Sequence, residues 1–157
     1  MPLPPFQLAA DEYRDQLARF LAATVGPDDA QDCLQETLIA ALRAYPRLRA
    51  GSNVRAWLFT IARNKALDEH RARARRPVPV LTVPEAGSAD EAAATDSDDV
   101  ELWDAVRELP PKQRAAVVLR YVNDFSHREV AAVLDCSEDA ARRSLHEGLS
   151  KLRKEMA

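Results

Sequence analysis

The sequence predicts an all-α fold: two small helical domains joined by a flexible acidic linker, the second domain carrying a helix-turn-helix. Three observations lead there. Apolar residues recur at spacings of three and four through most of the chain, and no stretch shows strong strand alternation. Residues 77–99, PVPVLTVPEAGSADEAAATDSDD, hold three prolines, small residues and six acids but no Lys or Arg, and they carry no apolar stripe. Towards the C-terminus, two apolar-striped segments are separated only by Asp135-Cys136-Ser137. The expected domains are therefore 1–76 and 100–157, with 77–99 between them, and 157 residues suffice for two small domains.

The first helix is expected over about residues 9–24, ending at Gly26-Pro27. Asp28 or Asp29 can cap the second, whose stripe is Ala30, Cys33, Leu34, Leu38, Ala41 and Leu42. Asp32, Gln35 and Glu36 fall on its other side. Residues 46–52 read as a loop, with Gly51 allowing a tight turn. The third helix, NVRAWLFTIARNKALDEHRARARR (residues 53–76), joins the apolar face of Trp57, Leu58, Ile61 and Ala62 to a later half crowded with arginines, and it stops before Pro77. Trp57 lies on the stripe and is expected in the core; Phe59 is open to either a core or a surface role.

In the second block, DDVELWDAVREL presents Val100, Trp103, Val106 and Leu109 on one face and ends at Pro110-Pro111. PKQRAAVVLRYVND is the next helix. Ser126 with Glu129 forms a capping-box signature before Val130, Ala131, Val133 and Leu134. Ser137 is the expected N-cap of the last helix, striped by Ala141, Leu145, Leu149 and Leu152.

The net charge of −3 conceals an uneven distribution. Residues 1–76 hold twelve Lys/Arg against nine Asp/Glu, 77–99 are wholly acidic, and 100–157 balance at ten of each. A basic segment thus stands beside an acidic one, which suits nucleic acid on part of the surface. Cys33 and Cys136 lie far apart with no Cys or His at metal-ligand spacing, so neither a metal nor a cofactor is expected, and both thiols suit a reducing cytoplasm. His70, His127 and His146 have no nucleophile or metal cluster at matching spacing, and four glycines make no phosphate-cradling loop. An enzyme is not expected. No basic-then-apolar leader opens the chain and no apolar run approaches the ~20 residues of a membrane span, so the expectation is a soluble cytoplasmic protein without membrane insertion.

Both blocks together resemble the extracytoplasmic-function (ECF) sigma factors of bacterial RNA polymerase. DAQDCLQETLIAAL resembles their polymerase-binding helix, NVRAWLFTIARNKALDEHRARARR their promoter-melting and minus-ten segment, and LPPKQRAAVVLRYVNDFSHREVAAVLDCSEDAARRSLHEGLSKLRKE their minus-thirty-five domain. The resemblance implies that Asp32, Gln35 and Glu36 bind core RNA polymerase, as carboxylates and an amide can by charge-assisted hydrogen bonds to an Arg-rich helix. It implies minus-ten DNA contacts from Arg49, Ser52, Asn53, Arg63, Asn64, Lys65, Arg71, Arg73, Arg75 and Arg76, with the asparagines able to read base edges and the cations neutralising phosphates. It implies minus-thirty-five contacts from His127, Arg128, Arg142, Arg143 and His146. The implied partners are core polymerase, promoter DNA and, since family members are often held inactive by one, an anti-sigma factor. The implied function is promoter-specific transcription initiation; the competing reading is a stand-alone helix-turn-helix regulator that does not engage polymerase.

Four positions depart from the family pattern. Arg143-Ser144 stands where a Ser-Arg pair is common, Glu147 where a basic residue is frequent, and Asp135 where the turn often has Gly. Glu138, Asp139 and Glu147 would repel phosphates if they faced DNA. The acidic segment has two open roles, a plain tether or a shield over the basic helix. Opening stacked DNA costs about 1.4 kcal/mol per step, so the free chain is expected to melt no promoter.

Overall fold

The structure, a computed structural model, describes residues 2–75 and 97–157. Arg76 and most of the expected linker lie outside the described residues, as do the two roles considered for it. Among the described residues there are seven α-helices, one 3-10 turn and no strand.

Helix α1 spans Phe6–Val25 and α2 spans Pro27–Ala44. The corner between them is Gly26, at φ 93°, a backbone conformation in which a Cβ is strained. Its N–H closes α1 on Ala22 O at 3.1 Å, and Pro27 opens α2 as its first residue, where a missing N–H costs nothing. The expected side-chain cap from Asp28 or Asp29 is therefore displaced: Gly26 occupies the cap, and both acids sit in the first turn, favoured there by the helix dipole. Ala30, Cys33, Leu34, Thr37 and Ala41 form the buried stripe of α2. Thr37 joins it because its Oγ1 donates to Cys33 O at 2.7 Å. Leu42, expected on the stripe, is 56% exposed.

A 3-10 turn, Tyr45–Arg47, leads to the loop around Gly51 and then to α3, Val54–Arg75. Asn53 caps α3, its Oδ1 accepting the Ala56 N–H at 3.1 Å. Phe59, Leu58 and Ala62 are fully buried, whereas Trp57 is half-buried against Tyr45, which in turn meets Phe6. The larger aromatic of α3 is thus peripheral and Phe59 is central.

Helix α4 is Ser97–Glu108, starting three residues inside the expected linker. It buries Ala105 and Val106, while Val100, expected on its apolar face, is 49% exposed. Helix α5, Pro111–Tyr121, buries every residue from Arg114 to Leu119 and is the central helix of its block. Helix α6, His127–Leu134, opens with both hydrogen bonds of the Ser126–Glu129 capping box. Asp135 ends it in the left-handed region at φ 54°, which explains why the turn tolerates Asp where Gly is usual: a short polar side chain visits this region readily. Helix α7, Glu138–Met156, is capped by Ser137 Oγ, which accepts the Ala140 N–H at 3.1 Å.

The two blocks are packed together. The Phe20 and Phe59 rings meet edge to face at 5.6 Å, and Phe59 meets Phe125 of the second block at 4.8 Å, so one core runs through both. Fully burying each such ring contributes roughly 2–3 kcal/mol. Arg114 of α5 completes the junction from inside: its Nη1 donates to Thr24 O at 3.0 Å and its Nη2 to Leu109 O at 2.9 Å. Burial lowers its pKa.

Candidate functional site

Burying Cys33, Leu34 and Thr37 turns Asp32, Gln35 and Glu36 outwards, and all three are exposed on one face of α2. The next turn adds Ile39 and Leu42, which are 50% and 56% exposed. The result is an acidic and amide patch bordered by bare apolar side chains. Such a surface can accept charge-assisted hydrogen bonds while the apolar border excludes water around them. Ile39 was missed from the sequence, although its spacing of four from Gln35 puts it on the same face.

The residues expected at the minus-ten element, on α3 and the loop before it, are divided. Arg49, Asn53, Asn64, Arg71, Arg73 and Arg75 are exposed; Ser52, Arg63 and Lys65 are half-buried. Asn53 spends its oxygen on the helix cap, leaving its amide N–H groups. Arg73 is tied to Asp29 of α2 and, at 3.6 Å, to Glu69, so it staples the two helices as well as carrying charge. Arg63 lies at the junction with the second block, in a crevice with Phe20, Thr24, Ala66, Pro111 and Ala115. Burial lowers its pKa, against the opposing effects of Cys136 and Asp135 in the α6–α7 turn.

On the second block, Arg128, Arg142, Arg143 and His146 are exposed and His127 is half-buried. Arg142 is paired with Glu138 on its own helix at 2.9 Å. Glu147 turns to α5, where it accepts from Gln113 Nε2 at 3.2 Å. Two of the three acids that would oppose DNA therefore have partners, and Asp139 sits in the first turn of α7, where the dipole favours it. No group of three or more His, Cys, Asp or Glu among the described residues is placed to hold a metal.

One functional-looking residue escaped the sequence reading altogether. Arg55, at the start of α3, donates from Nε to Gln16 Oε1 at 3.1 Å and from Nη2 to Asn123 O, and its Nη1 stands 3.4 Å from Glu129 Oε2. Its guanidinium lies 4.0 Å from the Phe125 ring centroid. Partners 68 and 74 positions away leave no local signal. Next to this junction, an apolar cleft of about 400 Å³ opens between Ala22, Ala23, Pro27, Val100, Trp103 and Val122.

Sigma-70 region 2 matches residues 9–76, and Sigma-70 region 4 matches residues 99–152. The ECF RNA polymerase sigma factor SigD of Mycobacterium tuberculosis is 36% identical over 93% of this chain and 74% of its own length. SigX of Bacillus subtilis, also an ECF RNA polymerase sigma factor, is 30% identical over 96% of this chain and 83% of its own. The RNA polymerase sigma factor CarQ of Myxococcus xanthus is 36% identical over 92% and 89%. Among solved structures, CnrH in complex with the cytosolic domain of CnrY superposes with a TM-score of 0.71 at 25% identity, over 95% of this chain and 85% of that one. The sigma factor RpoE of Bartonella quintana, in complex with the anti-sigma factor NepR, shares the fold with a TM-score of 0.75 at 23% identity, over 96% of each chain. With its two sigma regions in order on one helical frame, the chain belongs to the ECF sigma factors of bacterial RNA polymerase.

Proposed function

We propose that the acidic and apolar face of α2 docks this chain on core RNA polymerase, that α3 and the loop before it hold the minus-ten strand, and that α6 and α7 present Arg143 and His146 to the major groove of the minus-thirty-five element. Residues 1–76 then form the polymerase-binding and minus-ten domain, 100–157 the minus-thirty-five domain, and 77–99 the link. The chain acts in the cytoplasm, by binding and without catalysis of its own. No helix among the described residues is long and apolar enough to cross a membrane.

The observation that carries this reading is the exposure of Asp32, Gln35 and Glu36 beside Ile39 and Leu42. A stand-alone helix-turn-helix regulator has no use for such a face. In the minus-ten segment, Asn64 with Arg71 and Arg75 offers base-edge and phosphate contacts. An anti-sigma factor is a further partner, supported by the RpoE–NepR and CnrH–CnrY complexes. The test is transcription with sigma-free core polymerase on a pool of promoter fragments. Discrete start sites that depend on this chain support the reading; absence of core binding favours the stand-alone regulator.

A further inference from the structure

Two arginine nitrogens are buried without a hydrogen-bond partner among the described residues: Arg63 Nε on α3 and Arg114 Nε on α5. Such donors are rare in folded proteins, because each gives up its hydration and gains no acceptor in return. Arg114 is 6% exposed, and its two Nη groups are already committed to Thr24 O and Leu109 O. Those bonds account for the rest of the side chain but not for its Nε–H.

Both arginines line one crevice, together with Phe20 and Thr24 of α1, His70 of α3 and Pro111 of α5. Its volume is about 20 Å³. About 10–15 Å³ suffices for one water-sized particle, so the crevice holds one such particle and no larger group. The charge around it is one-sided. Arg63, His70 and Arg114 line it, and among the described residues no carboxylate does. Arg107 and Arg73 add positive charge around Arg114, opposed by Glu108, and Arg71 adds it around Arg63, opposed by Asp135. Burial lowers the pKa of both lining arginines, as it does for cations withdrawn from water.

A water and a small anion are the two occupants of this size that accept from N–H donors. A water also needs acceptors for its own two hydrogens. The lining side chains offer it the Thr24 hydroxyl oxygen and one histidine nitrogen, with no carboxylate or amide oxygen. An anion needs donors alone, and it offsets the charge of two guanidiniums in a poorly solvated space. Phosphate and carboxylates have too many heavy atoms to fit. We propose that this crevice binds a single halide-sized anion, chloride in ordinary buffers, between the Nε–H groups of Arg63 and Arg114 with His70 beside it. The site depends on the packing of α1, α3 and α5, and it stands apart from the sigma-factor reading. It gives Arg63 a ligand in the free chain other than DNA phosphate.

The experiment follows thermal unfolding of the full chain as sodium chloride replaces sodium gluconate at constant ionic strength, so that general screening stays the same. Gluconate is too large to enter. An anion bound by the folded state alone raises the midpoint as a saturating function of its concentration, by roughly 3–5 °C at ten times its dissociation constant. Arg63→Met keeps an apolar stem but loses the guanidinium, so it is expected to lose this rise while staying helical by circular dichroism. Arg75→Met, at an exposed arginine of the same helix, is expected to keep it. Diffraction at the bromine absorption edge, from wild-type crystals grown in sodium bromide, is expected to show an anomalous peak between the Arg63 and Arg114 side chains. Equal midpoints in chloride and gluconate overturn the proposal. So does a crevice without a peak, which assigns the two N–H groups to water. A chloride-dependent rise that persists in folded Arg63→Met places the ion elsewhere and overturns it as well. If Arg63→Met does not fold, the wild-type saturation and the bromide peak decide by themselves.

Discussion

Gly148 of α7 lies so close to Val117 of α5 that a Cβ on the glycine would stand 2.9 Å from Val117 Cγ2 and 3.4 Å from the Gln113 carbonyl oxygen. A mid-helix glycine ordinarily weakens a helix by about 1 kcal/mol relative to alanine. Here helix propensity and packing oppose each other. Val117 is buried and β-branched, so it has little freedom to retreat, and overpacking costs about 1–3 kcal/mol. Gly148→Ala is expected to lower the melting temperature despite its better propensity. Adding Val117→Ala should recover part of the loss, as a thermal double-mutant cycle would show; independent effects would remove the steric explanation.

Cys33 is 3% exposed, and burial pushes its thiol pKa from 9.0 to about 11. The folded state therefore retains this proton after the unfolded chain has lost it. The resulting stability is fully present below about pH 9 and declines as pH rises towards 11. Urea midpoints measured across that window should fall with pH, and Cys33→Ala should flatten this part of the slope. Iodoacetamide at pH 8 should modify Cys136 well before Cys33; equal rates would contradict the burial argument.

Much of the helical frame was legible because its signals are local. Gly26-Pro27, the Ser126–Glu129 box and the Ser137 cap each act within a few residues, and the structure realises all three. The errors arose where a distant element decides the outcome. Leu42 and Val100 lie at the outer ends of their apolar stripes, beyond the reach of close packing, so they stay exposed. Trp57 gave way to Phe59 because the second block supplies Phe125, not because of anything in α3. The contact of Glu147 with Gln113, 34 positions earlier, likewise left no local signal. The site surfaces were legible as faces, but Arg55 was not, since one of its partners, Gln16, is 39 positions away and the others, Asn123, Phe125 and Glu129, belong to the second block.

On α2, charge reversal at Asp32 and Glu36 should abolish core binding without affecting the fold, because both side chains point away from the buried stripe. Ile39→Ala should weaken binding by about 1–2 kcal/mol, roughly five- to thirtyfold, as expected of an apolar contact at the edge of a charged patch. Thermal unfolding of all three variants should match wild type within about 0.5 kcal/mol. Equilibrium titration of labelled core checks the affinities. Unimpaired binding by the Asp32 and Glu36 variants would move the docking surface elsewhere.

On α7, partnered and unpartnered side chains should behave differently on minus-thirty-five DNA. Arg143 and His146 are exposed, whereas Arg142 is engaged by Glu138 and Glu147 by Gln113. Arg143→Ala should therefore cost about 1–3 kcal/mol if it reads a base edge, with relaxed sequence preference at that position. If it contacts phosphate instead, the loss should be similar for all sequences, and the slope of log affinity against log salt should shrink by about 0.9. Glu147→Gln keeps the hydrogen-bonding reach to Gln113, so it should change affinity less than Arg143→Ala does. Fluorescence anisotropy with a duplex, repeated at three salt concentrations, separates these outcomes. A large gain in affinity from Glu147→Gln would mean that this acid faces the phosphates after all, and that α7 sits in the groove rotated from an orientation led by Arg143 and His146.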